Sequence, residues 1–398
     1  MLPLEGVRIL SVEQYGAGPW GTQYLADIGA EVIKIENPGD GGDMSRGVGP
    51  FFMGDGKGSA DSLFYQTFNR NKRSLTLNLS TDEGRSIFHS LVKTADAVTC
   101  NLRGDVPAKL GLTYETLGKV NPKIVCSFLT AYGRDSDRAA WPGYDYLMQA
   151  ETGYFSLTGE QGTPPTRFGL SIVDLMTGLA MAYATVSAVL NARAAGTGRD
   201  IDVSLFDLAL TNVSYPATWY LNTGHVQGRE PRSGHPSLVP CAQYKTQDGW
   251  IFLMCNKEKF WPILCEMIGH PEWGKDDRFR TFKDRLANRA LIQELLDEAL
   301  SARTTDDWLS AFGGRVPAAP IYDVEQALEN PFVAAQEMIQ TLTNKDGTEF
   351  RMIDSPFRTG EPTPNRPGPD LGEDTDELLG DLGMSDAEIT ALREKGTV

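Results

Sequence analysis

Apolar residues recur in two rhythms along this chain. Short stretches at 7–12, 31–36, 74–79, 97–100, 124–128 and 201–204 are rich in Val, Ile, Leu and Phe, as strands buried in a parallel sheet require. Between them, 17–28, 82–93, 113–120, 175–194 and 205–212 read as helices. The first strand runs into Gly16-Ala17-Gly18-Pro19-Trp20-Gly21, then a helix to about Ile28, a stop at Gly29 and a second strand. This β-turn-α-β start with further alternation predicts an α/β fold around a doubly wound sheet. Thr81 and Thr113 are suitable helix starts, and Gly196 with Gly198 closes the long helix that Asp174 opens.

The rhythm then changes. Residues 223–240 are rich in Gly, Pro and His and read as a linker or mobile loop. A hairpin is expected over 242–256, turning at Gln247-Asp248-Gly249, then helices over 257–268, 288–302 and 304–312. These form a smaller α+β domain. Residues 356–369 are Pro-rich and extended, and 385–394 form a short acidic helix.

Composition narrows the function. The 398 residues are 41% hydrophobic and 23% charged, ordinary for a globular protein, with a net charge of −16. Such acidity argues against nucleic-acid binding and against docking on anionic membranes. The charge is uneven, −2 over residues 1–150, −6 over 151–330 and −8 over 331–398, so the near-neutral first part suits an anionic ligand. Five cysteines without a CxxC pair, and only four histidines, disfavour disulfides and zinc; no metal is expected. Residues 1–8 show no signal-peptide pattern, and the apolar run 175–190 is short for a membrane span, so a cytoplasmic protein with a buried helix is expected.

Five motifs are candidates for chemistry. Gly16 to Gly21 fit G-x-G-x-x-G, with Glu36 placed as the ribose-binding acid of a dinucleotide site, although Pro19 removes a donor where a pyrophosphate needs one. A tight turn needing glycine for space is the plain alternative. Arg46, Arg70, Lys72, Arg73, Arg103 and Lys109 lie near strand ends and form a candidate phosphate-binding set. Asp174 is either an N-cap or, ionised at its ordinary pKa near 3.9, a nucleophile. Tyr144 and Asp145 lie in an aromatic loop, and Gly234, His235 and Ser237 in a second loop whose histidine is a candidate base.

In their order these stretches resemble the class III coenzyme A transferases, the family of formyl-CoA transferase, carnitine CoA-transferase and α-methylacyl-CoA racemase. The resemblance rests on Leu4-Glu-Gly-Val-Arg-Ile-Leu10 with Gly18-Pro19, Gly29-Ala-Glu-Val-Ile-Lys-Ile-Glu36, Gly42-Asp-Met-Ser-Arg46 and Asn69-Arg-Asn-Lys-Arg-Ser74. It continues through Asn101-Leu-Arg103, Lys109-Leu-Gly111, Gly143-Tyr-Asp145, Asp174 with Gly178, Gly198-Arg-Asp-Ile-Asp-Val-Ser204, Gly234-His-Pro236, Asp248-Gly249 and Leu371-Gly-Glu-Asp-Thr375.

The resemblance implies a Rossmann-like large domain at 1–204, a linker at 205–240, a small domain at 241–330 and a C-terminal segment, 331–398, returning to the large domain. It implies an interlocked, ring-like homodimer. The activity implied is transfer of CoA from an acyl-CoA, possibly succinyl-CoA, to a small carboxylic acid, through an aspartyl-CoA intermediate on Asp174. It places Gln14, Tyr15, Ala17, Arg46, Lys72, Arg73, Asn101, Leu102, Arg103 and Lys109 around coenzyme A, Tyr144 and Asp145 in the active site, and Gly234, His235 and Ser237 on a mobile loop. Tyr144 stands where the racemase branch has its histidine, and Ser233-Gly-His-Pro-Ser237 replaces formyl-CoA transferase's run of glycines, which points away from formate and oxalate. An NAD-dependent oxidoreductase using the Gly16 turn and a non-catalytic CoA-binding protein are the alternatives.

Overall fold

The computed structural model describes all 398 residues, in two compact units. The first comprises residues 1–152, 169–213 and 334–398, the second 153–168 and 214–333.

The first unit is built on six parallel strands, β1 (Arg8–Val12), β2 (Glu31–Glu36), β3 (Arg73–Thr76), β4 (Ala97–Cys100), β5 (Val125–Thr130) and β6 (Arg199–Ser204), in the order β3-β2-β1-β4-β5-β6. Successive side chains point to opposite faces, so near-continuous apolar strands fill two layers. Ile9, Val32, Ala97 and Val125 meet Leu25 and Ala26 of the helix Ala17–Asp27 and Ala182, Ala188 and Val189 of the helix Ile172–Ala195. Their neighbours Leu10, Ile33, Val98 and Cys126 meet Ile87, Phe88 and Leu91 of the helix Asp82–Val92 and Leu378, Leu379 and Ile389 from the C-terminal helices Thr375–Asp381 and Asp386–Glu394. The order reverses between β1 and β4, the place where doubly wound sheets open a crevice beyond their carboxyl ends.

The Ala17 and Ile172 helices cross at two glycines. A Cβ on Gly21 would lie 2.3 Å from the Gly178 carbonyl oxygen, and one on Gly178 would lie 2.3 Å from the Ala17 carbonyl oxygen. Only glycine permits that backbone contact, which brings both helix N-termini to the crevice.

In the second unit, strands Cys241–Lys245, Trp250–Met254 and Ala318–Pro320 form an antiparallel sheet. Tyr244, Ile251 and Leu253 pack with Trp261, Leu264, Leu296, Trp308 and Phe312.

Several elements differ from expectation. The strand expected over 74–79 stops at Thr76, and the helix expected over 113–120 is one turn, Tyr114–Leu117. The 205–240 segment, expected as a linker, carries, besides the expected helix Leu205–Asn212, a second helix Tyr215–Thr223. Ser204 caps the first by accepting the Asp207 N–H, and Ser214, at φ 59, breaks the chain between the two, where the first unit ends. The hairpin Ile339–Thr343/Glu349–Ile353 was not foreseen.

Candidate active site

The turn after β1 is pinned residue by residue. The Glu13 carbonyl accepts from Lys34 Nζ at 3.1 Å. Gln14 exchanges two hydrogen bonds with the Asn101 side chain just beyond β4, its N–H donating at 2.9 Å and its carbonyl accepting at 2.8 Å. The Tyr15 N–H donates to the Asp43 carboxylate at 2.9 Å, and Tyr15 sits at φ +71, where an aromatic L-residue is rare. Gly16 follows as N-cap, and no side chain caps the helix that begins at Ala17. A Cβ on Gly18 would stand 2.8 Å from Asn101 Cγ, so this glycine is required for space.

Beneath the turn lies a buried ionic network. Lys72 reaches Glu13 at 2.8 Å and Lys34 reaches Asp43 at 2.7 Å. Arg46 grips both oxygens of Glu36, at 2.9 and 2.7 Å, and the Ser74 hydroxyl donates to Glu36 at 2.6 Å. Burial pushes the Lys72 ammonium down to about 8 although Glu13 opposes this; burial pushes Glu36 up, but Arg46 and Lys34 more than offset it. Three acids and three bases neutralise one another, as fully buried charges must.

Asp174 is the third residue of its helix, with Ser171 at the N-cap, so the expectation that it opens or caps that helix is corrected. Capping falls to Asp145, whose Oδ2 accepts the Asp174 N–H at 2.9 Å and whose Oδ1 accepts from Gln149 at 2.5 Å. Without a capping bond to make, the Asp174 carboxylate lies against the Gly16 turn; a Cβ there would be 3.5 Å from its Oδ2. Burial, and then the nearby Asp145 charge, push its pKa up to about 7, against the helix N-terminus, which favours the anion. The expectation of a fully ionised carboxylate at neutral pH is thereby revised.

A cavity of about 550 Å³ opens above these groups, lined by Gln14, Tyr15, Ala17, Asn101, Leu102, Arg103, Tyr144 and Asp174, with Met44, Trp141 and Leu205 as further walls. A second, of about 300 Å³, lies beyond the ends of the first three strands and shares Gln14 and Leu102 with it. Eight of the expected site residues thus converge. Asp145 stands behind Asp174. Lys109 is exposed and, like Arg103, paired with Asp105.

The other expected cations do not reach either cavity. Arg46 and Lys72 spend their charge in the buried network, and Arg70 is bound bidentately to Asp27. Arg73 begins its strand, at the edge away from the crevice, held by Glu31, Asp374 and Glu377. Glu36 is likewise committed and offers no free oxygens to a ribose, which removes the dinucleotide reading of the Gly16 turn. Gly234, His235 and Ser237 belong to the second unit. There His235 Nδ1 accepts from the Ser237 and Leu238 N–H groups, so that nitrogen is engaged within its own loop.

Asp43, Lys34 and Glu13 were missed by sequence reasoning. The signal was present: charges inside or beside apolar strands must be paired.

The crevice thus sets a carboxylate against an uncapped helix start, and comparison with known proteins gives the class. Residues 4–375 match the family described as CoA-transferase family III, and the chain belongs to that family; it is a CoA-transferase. Among relatives, a succinate–glutarate CoA-transferase of Agrobacterium fabrum is 34% identical, covering 96% of both chains. An acetyl-CoA:oxalate CoA-transferase of Acetobacter aceti is 35% identical over 85% of both chains. A crystal structure of a CAIB/BAIF family protein from Brucella suis superposes with a TM-score of 0.81 at 32% identity, covering 96% of this chain and 99% of that one.

Proposed function

We propose that Asp174 is the nucleophile and that CoA passes through it. Its carboxylate attacks the thioester carbonyl carbon of the donor, the C–S bond breaks, and CoA thiolate leaves a mixed anhydride. The thiolate then attacks the aspartyl carbonyl, releasing the donor acid as carboxylate and leaving an aspartyl-CoA thioester. The acceptor carboxylate attacks that thioester, CoA departs again, and its attack on the acceptor's acyl carbonyl frees Asp174 and the new acyl-CoA. No net proton or electron is consumed, so the protein's task is to stabilise oxyanions and exclude water.

The observation that carries this reading is the placement of the Asp174 carboxylate in the cavity against Gly16, beside a helix start that no side chain caps. The amides at that start supply oxyanion donors where charge develops. The adjoining cavities suit a long ligand, with acyl and pantetheine parts over Asp174 and the nucleotide part beyond β1–β3. Arg103, at the rim, shares the Asp105 carboxylate with Lys109, so the trio keeps a net positive charge for it.

Incubation with acyl-CoA, a hydroxylamine quench and mass analysis of the Asp174-containing peptide tests the intermediate. The expected product is a hydroxamate on Asp174; an unmodified peptide from an enzyme turning over would overturn the reading.

For the substrates we infer succinyl-CoA as donor and a dicarboxylic acid of four to five carbons as acceptor. The succinate–glutarate relative supports this, as does a succinyl-CoA:mesaconate CoA-transferase of Haloarcula marismortui, 32% identical over 96% of both chains. The oxalate enzyme of Acetobacter aceti is the competing precedent. Rates with succinyl-CoA against glutarate, mesaconate, oxalate and formate should rank the first two highest. Activity confined to oxalate and formate would reverse the assignment.

A further inference from the structure

One of the chain's six non-glycine residues at positive φ stands immediately before the start of the Ala17 helix. Tyr15 lies at φ +71, a conformation that persists in a non-glycine residue only where its surroundings enforce it. Its side chain does not enforce it, being 37% exposed with its ring tilted against Phe64 at 5.1 Å. The peptide before it is held at both ends, the Tyr15 N–H donating to Asp43 Oδ1 and the Gln14 carbonyl accepting from Asn101 Nδ2.

Asp43 is itself immobilised. The same Oδ1 accepts the Ser45 N–H at 2.8 Å, Oδ2 lies 2.7 Å from Lys34 Nζ, and the Asp43 N–H donates to Glu36 Oε1 at 2.9 Å. Glu36 is fixed in turn by Arg46 and Ser74. We propose that Asp43 is a positioning residue for the transfer step: by accepting the Tyr15 N–H it holds the turn left-handed and so sets the uncapped amides of the Ala17 helix against Asp174. This inference rests on the reading of Asp174 as nucleophile. Turning Tyr15 back to negative φ would swing Gly16 and the helix start away from the carboxylate they now face. A role limited to capping the short 3-10 turn Met44–Gly47 accounts for the Ser45 bond alone and predicts no link to the backbone conformation at position 15.

The test is a double-mutant cycle on kcat and KM. Asp43→Ala should lower kcat by about 100-fold, the scale of losing preorganised oxyanion donors, with KM for acyl-CoA changed less than about threefold. Glycine adopts positive φ without strain, so in the Tyr15→Gly background the same Asp43→Ala change should cost under about tenfold. An equal loss in both backgrounds overturns the proposal. If Asp43→Ala fails to fold, Asp43→Asn decides the matter, since its amide oxygen can still accept the Tyr15 N–H while the ion pair with Lys34 is lost. Its kcat should then stay within about tenfold of the parent, and a loss of about 100-fold that is equal in the Tyr15→Gly background overturns the proposal. Asp174→Asn assayed in the same series separates the two readings. Full activity there removes the nucleophile, whereas the coupling between positions 15 and 43 is read independently of it.

Discussion

In the role proposed for it, Asp174 would combine two opposing properties, a nucleophile's need for charge and a site that disfavours it. Its pKa, near 7 when folded and about 3.9 when unfolded, means the folded chain keeps a proton that the unfolded chain releases between about pH 4 and pH 7. Stability therefore falls as pH rises through that window, and the full penalty applies above pH 7. Asp174→Asn removes it, so this variant should melt higher than the parent at pH 8, by on the order of 1–3 kcal/mol, and like the parent near pH 4. The same variant should lose at least about a thousandfold in kcat, because no anionic oxygen remains to form the anhydride. Lower stability at pH 8 together with near-parental activity would contradict both claims. In the parent, kcat/KM should rise with pH through about 7. Asp145→Asn, whose amide oxygen still accepts the Asp174 N–H, removes the second cause of the shift and should move that midpoint lower while burial keeps it above the ordinary value.

At the scale of elements, the site is the meeting of two helix starts, and Gly21 with Gly178 decides how closely they meet. Gly178→Ala would press a methyl group onto the Ala17 carbonyl, and neither backbone has room to yield. The helices must separate, at a cost of ~1–3 kcal/mol or more. Since Gly178 lies one turn from Asp174, kcat should fall by at least about tenfold as the carboxylate shifts from the Gly16 turn. Melting and kinetics measured together check this; an unchanged kcat in a destabilised protein would detach the crossing from catalysis. The rest of the element layout follows from local pattern. The period of the strands foretold their burial on both faces, and Ser204 and Thr81 cap the helices that follow them. The helix Tyr114–Leu117 is shorter than predicted, since past Gly118 the Lys119 and Val120 N–H groups bond three residues back, to Thr116 and Leu117, in tighter turns.

At the scale of the molecule, the Ile172 helix is long and apolar enough to cross a membrane, yet one face is buried through Val173, Thr177, Met181 and Thr185, with Ala182, Ala188 and Val189 in the cluster that covers the sheet. Its other face leaves Met176, Leu179, Tyr183 and Leu190 open, with Tyr183 78% exposed. Apolar stripes of this kind mark interfaces, and we propose that a second copy of the chain covers it, in the homodimer the sequence resemblance implies. Light scattering should give twice the 43.6 kDa of one chain, unchanged on dilution if the chains interlock. Tyr183→Asp should weaken assembly. A monomer active at micromolar concentration would refute the arrangement.

By itself the sequence offered Asp174 and Tyr144 as candidates from their motifs and Asn101 only through the family resemblance, and it determined the β-turn-α-β start, the alternation that builds the sheet and the glycine-bearing turn after β1. Each of these is written in spacing along a short stretch of chain. It did not determine which cations remain available. Arg46, Lys72, Arg73, Arg103 and Lys109 read alike as free positive charge, yet folding spends the first three on Glu36, Glu13 and Asp374, partners 10, 59 and 301 residues away, and leaves the last two sharing the one carboxylate of Asp105. Nor did it show that Asp145 caps the helix of Asp174, or that the Asp174 carboxyl titrates near neutrality. Burial and the distance to another charge belong to the assembled molecule, and segments far apart in the chain set both.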